Sequence, residues 1–304
     1  MIHTDTTGDD VASHYDELDP FYRSLWGEHV HHGLWETGRE SPLEAVDKLS
    51  RHVAKRAEIK QGDRVCDVGC GYGATARLLA SEYGAQVTGI TISPKQHAAA
   101  AATGGADFVL GDWLQNDFPD ESFDAVIAIE STEHLPDVER GIAEMARVLS
   151  PGGRLVICAW MAGPAPRPWE HRHLLEPICR EGRLVGMGNE EDYHRWIAAA
   201  GLELQTTDDL SRQVRRTWPI CIQRTIGAFF RDAGFRRFLF DDHQRNRVFA
   251  LTLLRIWLAY LTGALRYTVF TAVKPRDGEQ RNQEESPSHA GEFNHSRSRR
   301  DQSQ

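Results

Sequence analysis

Asp67, Gly69, Gly71 and Gly73 fall within the single stretch DVGCGYG, directly after the apolar pair Val65-Cys66. A strand, a glycine turn and a helix in that order bring backbone N–H groups close to a ligand. A dinucleotide site is spaced G-x-G-x-x-G. Here the spacing is G-x-G-x-G, with Ala74 at the third dinucleotide position, where Ala is also accepted. Glycine spacing alone therefore does not choose the ligand. Asp67 says more, because a carboxylate at the mouth of the strand repels a pyrophosphate and attracts an ammonium. At the end of the next apolar run, QVTGITIS, a dinucleotide enzyme places an acid for the ribose 2′-hydroxyl, and Thr91 stands there instead. Together they favour a cationic ligand over a nicotinamide cofactor.

Further along, GDW places Asp112 beside Trp113, and ESTEHL places Glu130, Glu133 and His134 after another apolar run. Glu130 ends that run, and the carboxyl ends of strands are where open parallel sheets bind ligands. GEHVHHGLWE carries His29, His31 and His32, which raises the question of a metal. No second ligand group of matching spacing accompanies them, and the five cysteines are scattered with no C-x-x-C pair, so no metal is expected.

These residues need a parallel sheet to hold them. From Gly62 to Ala159 short apolar runs alternate with longer amphipathic or Ala-rich ones, the pattern of crossover connections. The expected strands are Arg64–Val68, Gln86–Thr91, Asp107–Leu110, Phe123–Ile129 and Gly153–Ala159, and the expected helices Gly73–Tyr83, Pro94–Ala102 and Glu139–Leu149. SPGGR reads as a turn before the fifth strand. Leu202–Thr207 is a sixth strand, Pro219 to Thr262 is largely helical, and RYTVFTAVKP alternates like a final strand. The fold class is α/β: a doubly wound, Rossmann-like, seven-stranded and mostly parallel sheet with a final antiparallel strand, an N-terminal helical lid and a helical cap. The division expected is a lid over residues 1–61, a catalytic domain over 62–274 with cap insertions at about 160–200 and 219–262, and a disordered tail over 275–304, which is too poor in apolar residues to fold.

Composition narrows the partners. With 304 residues, 40% hydrophobic and 26% charged, the chain can bury a sizeable core. A net charge of −9 argues against nucleic acid, whose binders carry an excess of Lys and Arg. The N-terminus has acids and no apolar signal region, and Arg255 and Arg266 interrupt the most apolar late stretch, so a buried helix and strand are expected there rather than a membrane span. A cytoplasmic protein with a small-molecule partner follows; oligomeric state stays open.

The segments VCDVGCGYGATARLLA, VTGITISPKQ, GDWLQNDFPDESFDAVIAIESTEHLPD and ARVLSPGGRLVI, in that order, resemble the class I S-adenosylmethionine-dependent methyltransferases over about Ser13 to Pro275. The GIT-x-SP-x-Q variant is shared with tocopherol methyltransferases, sterol methyltransferases and cyclopropane fatty-acid synthases, and FYRSLWGEHVHHGLWE looks most like the tocopherol type. The resemblance implies S-adenosyl-L-methionine as cofactor. Asp67 would receive its ammonium, Gly69, Cys70 and Gly71 its methionine part, Thr91, Ile92 and Gln96 its ribose, and Asp112 and Trp113 its adenine, with Tyr22 and Glu130 also in contact. His31, His32 and Trp35 would meet the acceptor, and His134 with Glu133 would act on the proton that leaves it. Tyr15 and Trp26 would help the lid exclude water, and Trp218, Phe229, Phe230, Phe235, Phe238 and Trp257 would cap a lipophilic acceptor. HVHHGLW lacks the cysteine of cyclopropane synthases, and ICAWM lacks their histidine, which speaks against cyclopropanation. A methyltransferase acting on a small hydrophobic or ring-bearing metabolite is expected, at carbon, oxygen or nitrogen. Alternatives are a glycine/sarcosine-type amine methyltransferase and a non-catalytic S-adenosylmethionine-binding protein.

Overall fold

A computed structural model describes residues 2–4, 6–7, 11, 13, 28–240 and 249–276. Tyr15, Tyr22, Trp26, the Phe238 side chain and the expected tail beyond residue 276 lie outside the described residues.

Seven strands make the main sheet: β2 (Arg64–Val68), β3 (Gln86–Thr91), β4 (Asp107–Leu110), β5 (Phe123–Ile129), β6 (Leu149–Ala162), β8 (Glu203–Asp209) and β9 (Leu265–Val273), in the order β4-β3-β2-β5-β6-β9-β8. The pairs β2–β3, β3–β4, β2–β5 and β5–β6 are parallel, and β9 runs antiparallel to both β6 and β8. A two-residue β1 (Ile2–His3), which the sequence does not signal, pairs with β7 (Gly186–Met187). The described α-helices of six or more residues are α1 (Pro42–Arg56), α2 (Ala74–Tyr83), α3 (Pro94–Thr103), α4 (Val138–Val148), α5 (Glu176–Glu181), α6 (Glu190–Ala199), α7 (Thr217–Arg231), α8 (Ala233–Phe240) and α9 (Phe249–Thr262). Within residues 1–61 the described part holds the strand β1, helical backbone at Val11 and Ser13, the irregular stretch 28–41 and the helix α1.

Both faces of the sheet are covered, which explains its near-continuous apolar strands. Successive β5 residues alternate between two cores: Ala125, Ile127 and Ile129 pack with α1, α2 and α9, while Val126 and Ala128 pack with α4 and α6. Local signals start three of the helices. Ser41 and Glu44 close a capping box on α1, Ser93 accepts from the Gln96 N–H at α3, and Asp137 accepts from the Arg140 N–H at α4.

The expected turn Ser150–Arg154 is drawn into β6 instead. Leu149 pairs with Phe123 and Arg154 with Ala125, so the intervening residues form a bulge, with Gly152 at φ 82°. The late apolar stretch folds as the helix α9 and the strand β9, and its two arginines are paired, Arg255 with Glu181 and Arg266 with Asp209. Among the described residues no helix is long and apolar enough to cross a membrane.

Candidate active site

The chain leaves β2 for β3 and β4 on one side and later adds β5 and β6 on the other, so the sheet order reverses at β2. Crevices open at the carboxyl ends of strands at such a point. A cleft lies there.

The loop after β2 brings Asp67, Gly69, Cys70 and Gly71 to the cleft. Gly69, Gly71 and Gly73 all have positive φ, 78°, 56° and 76°, a conformation that glycine adopts without strain. A Cβ at Gly71 would meet nothing within 4 Å, so its bare backbone faces open space. A Cβ at Gly69 would lie 2.3 Å from the Ser131 Cβ, and Ser131 is tied down because its hydroxyl donates to the Val68 carbonyl at 2.6 Å. Gly69→Ala is therefore expected to cost about 2 kcal/mol or more in urea unfolding. Gly62→Ala, at φ 86° with nothing within 4 Å, should cost only the backbone part, about 1 kcal/mol.

Asp67 is 3% exposed, and among the described residues its Oδ2 has no hydrogen-bond partner. Burial pushes its carboxyl up to about 7. A buried, unsatisfied carboxylate is costly, and an incoming cation with N–H donors relieves it.

At the ends of β3 and β4, Thr91, Ile92, Gln96, Asp112 and Trp113 line the cleft. Thr91 donates its hydroxyl to Gln96 Oε1 at 2.8 Å, which joins the strand end to the first turn of α3. The Asp112 carboxylate accepts from the Leu114 N–H and the Gln115 amide, both at 2.9 Å, so it also serves as a turn cap. Trp113 donates its indole N–H to the Gly141 carbonyl at 2.9 Å and is 4% exposed, which makes it core and wall at once.

Glu130 and His134 reach the cleft from the loop after β5. Glu130 has φ 53°, a strained value for a residue with a side chain. Its Oε1 accepts from the His32 backbone N–H at 2.7 Å and from the Tyr267 hydroxyl at 2.9 Å, and lies 3.0 Å from His32 Nδ1; Oε2 accepts from the Trp160 indole at 2.8 Å. Burial alone would raise this carboxyl, but attraction and hydrogen bonding to His32 outweigh it and hold it at about 2. The Trp218 indole donates to His32 Nε2 at 2.8 Å. Since an indole only donates, Nε2 accepts this bond and Nδ1 is the atom that donates to Glu130. His134 Nδ1 donates to the Arg183 carbonyl at 3.1 Å, which puts the basic lone pair of the neutral ring on Nε2. Burial pulls this ring down to about 4, so at neutral pH it stands in its proton-accepting form.

From the stretch 28–41, His29 and His31 line the cleft, with His29 Nδ1 3.1 Å from His31 Nε2 and His29 Nε2 3.3 Å from Asp47. Burial, then His31, brings His29 down to about 3. Among the described residues no group of three His, Cys, Asp or Glu side chains is arranged to hold a metal ion.

Three expected site residues are not brought to the cleft. His32, 1% exposed, turns away from it onto Glu130, Trp218 and Tyr260. Trp35 donates to the Thr217 hydroxyl at 3.2 Å beneath the Arg216 guanidinium. Glu133 is 2% exposed behind the wall, where one carboxylate oxygen accepts from the Trp160 backbone N–H and the other from the Thr132 hydroxyl. Burial pushes Glu133 up to about 8. Tyr22 lies outside the described residues. None of the cap aromatics described, Trp218, Phe229, Phe230, Phe235 and Trp257, lines the cleft. Conversely, Ser131 and Leu135 line it without having been singled out; adjacency to Glu130 and His134 was the available signal.

Residues 66–157 match the family described as "Methyltransferase domain". The chain is 32% identical to a probable tocopherol O-methyltransferase, chloroplastic, from Oryza sativa subsp. japonica, covering 87% of this chain and 78% of that one. It is also 32% identical to the 27-O-demethylrifamycin SV methyltransferase of Amycolatopsis mediterranei, covering 90% and 99%. Among solved structures, the [4+2]-cyclase SpnF superposes with a TM-score of 0.75 at 28% identity, over 90% of this chain and 98% of that one.

Proposed function

Because the chain belongs to the class I S-adenosylmethionine-dependent methyltransferases, we propose that its cleft binds the cofactor through Asp67 and serves a small hydrophobic or ring-bearing acceptor. The observation that carries the assignment is the buried Asp67 Oδ2, which lacks a partner at the mouth of a loop whose Gly71 leaves open space. When bound, S-adenosyl-L-methionine supplies an electrophilic methyl group on a sulfonium. Asp67 takes the ammonium, and Gly69, Cys70 and Gly71 give backbone access to the methionine part. Thr91, Ile92 and Gln96 border the ribose, and Asp112 and Trp113 the adenine.

The protein's main task in such a displacement is alignment, since the leaving group is already activated. His134, neutral at physiological pH and lining the cleft, takes the proton when the acceptor is a phenol or an activated carbon. His31 lies where the acceptor would approach. Glu130 is saturated by hydrogen bonds and held at about 2, which suits holding the 28–41 stretch in place rather than moving a proton. His32, Trp35 and Glu133 support this wall from behind. We read residues 1–61 as the lid, 62–274 as the catalytic domain and 275–304 as a tail, in a cytoplasmic protein whose cysteines, all buried, are unpaired.

Calorimetric titration with S-adenosylmethionine and with NAD tests the cofactor; tight NAD binding without S-adenosylmethionine binding would overturn the assignment. A labelled-methyl assay against phenols, amines, sterols and fatty acyls tests the acceptor. The second measurement matters because the [4+2]-cyclase SpnF shares this fold, so the fold alone does not guarantee transfer. Cofactor binding with no transfer to any of the four classes would favour the non-catalytic reading.

A further inference from the structure

The helices α7, α8 and α9 have an outer face that the cleft does not use. Along α9, Leu251, Leu254, Leu258 and Leu261 recur at helical spacing and are all exposed, while Leu253, Ile256, Ala259 and Tyr260 on the other side are buried. On α7, Ile226 is exposed, and Phe230 is 75% exposed; on α8, Phe240 is 74% exposed. Ring contacts of Phe229 with Phe230 at 5.4 Å and with Phe240 at 6.3 Å join α7 to α8. Apolar exposure on this scale is unusual for a surface that meets only water.

Charge identifies what the face is suited to meet. Residues 210–262 contain ten arginines, three aspartates, no lysine and no glutamate, giving +7 in a chain whose total is −9. Arg224, Arg231 and Arg237 are exposed on the same two helices as Ile226, Phe230 and Phe240. Exposed leucines and phenylalanines beside arginines are the two signals that together hold a helix on an anionic bilayer. The described part of α9, 14 residues and about 21 Å long, is shorter than a hydrocarbon core of about 30 Å, and among the described residues no helix is long and apolar enough to cross a membrane, which suits a helix lying on the surface.

We propose that the outer face of α7–α9, through Leu254, Leu258, Phe230 and the arginines of α7 and α8, docks on an anionic lipid surface. The inner faces of the same helices hold His32 through Trp218 and Tyr260, and His32 bonds Glu130 at the cleft. Docking therefore sets the helices that back His32 against the phase where a lipophilic acceptor dissolves. The claim concerns a surface remote from Asp67, so vesicle binding is read independently of cofactor binding.

The test is co-sedimentation of the full chain with vesicles of phosphatidylcholine alone or mixed with phosphatidylglycerol. Binding is expected to be about tenfold tighter to the anionic vesicles and to weaken with added salt. The double variant L254S/L258S should lose binding by about tenfold with S-adenosylmethionine affinity unchanged, since two exposed leucines leave the contact. R231E/R237E should lose only the preference for anionic lipid. F230S repeats the apolar test should the leucine variant fail to fold. No binding to anionic vesicles overturns the proposal. So does a wild-type dimer in light scattering that L254S/L258S breaks, without vesicle binding, because the face would then join two copies of the chain.

Discussion

Asp67→Ala is expected to weaken S-adenosylmethionine binding by about tenfold or more, a loss of about 1.4 kcal/mol, in a calorimetric titration of the folded variant. The wild-type carboxylate is 3% exposed, and its Oδ2 has no partner, so the protein has already met the cost of burying it. Alanine removes that cost together with the attraction for a cation, so the variant should be at least as stable as the wild type while binding the cofactor worse. A folded variant with an unchanged dissociation constant would remove Asp67 from the site.

The same residue dictates a pH dependence. Burial raises its carboxyl from 3.8 to about 7, so the unliganded protein holds a proton there that an ammonium must displace. Affinity should therefore rise with pH by about tenfold per unit between roughly 5 and 7, then level off. Asp67→Asn keeps the size, removes the titration and should flatten that slope. The stability effect has the opposite sense. The folded state retains this proton above pH 3.8 where the unfolded chain has lost it, so ionising Asp67 subtracts stability as pH rises towards 7.

Strand-end residues were legible because their identity and position are local facts. The bounds Arg64–Val68, Gln86–Thr91, Asp107–Leu110 and Phe123–Ile129 coincide with β2 to β5, since each is a mostly apolar run that ends close to Gly69, Ser93, Gly111 or Glu130, and Asp67, Thr91 and Glu130 stand at or next to those ends. β6 extends to Ala162 because its far end pairs with β9, about a hundred residues later, and no local pattern announces such a partner. β1 depends in the same way on β7. The histidines show the limit most clearly. His31 and His32 are adjacent and chemically identical, yet one faces the cleft and the other faces Trp218, because consecutive side chains of an irregular stretch point in different directions. Only the position of Glu130, Trp160, Trp218 and Tyr267 around that stretch decides which is which, and those residues come from four separate parts of the chain.

Replacing Glu130 by alanine tests that assembly, and the expected loss is large, about 3–5 kcal/mol, because buried donors would be left without their shared acceptor. The His32 backbone and Nδ1, the Tyr267 hydroxyl and the Trp160 indole all converge on this one carboxylate. For a chain of this size the melting temperature should fall on the order of 10 °C by scanning calorimetry. A control follows from titration. Folded Glu130 stays ionised down to about 2, whereas an unfolded glutamate takes a proton near 4.5, so its contribution is complete above 4.5 and is lost as pH falls from there towards 2. The wild type should therefore lose stability over that range more steeply than Glu130→Ala. Glu130→Gln is expected to recover only part of the loss, since its amide nitrogen adds a donor where the surrounding groups already donate. If Glu130→Ala melted within 2 °C of the wild type, an upper bound of about 1 kcal/mol would apply, and the carboxylate would not be what holds the 28–41 stretch, β6, β9 and α7 together.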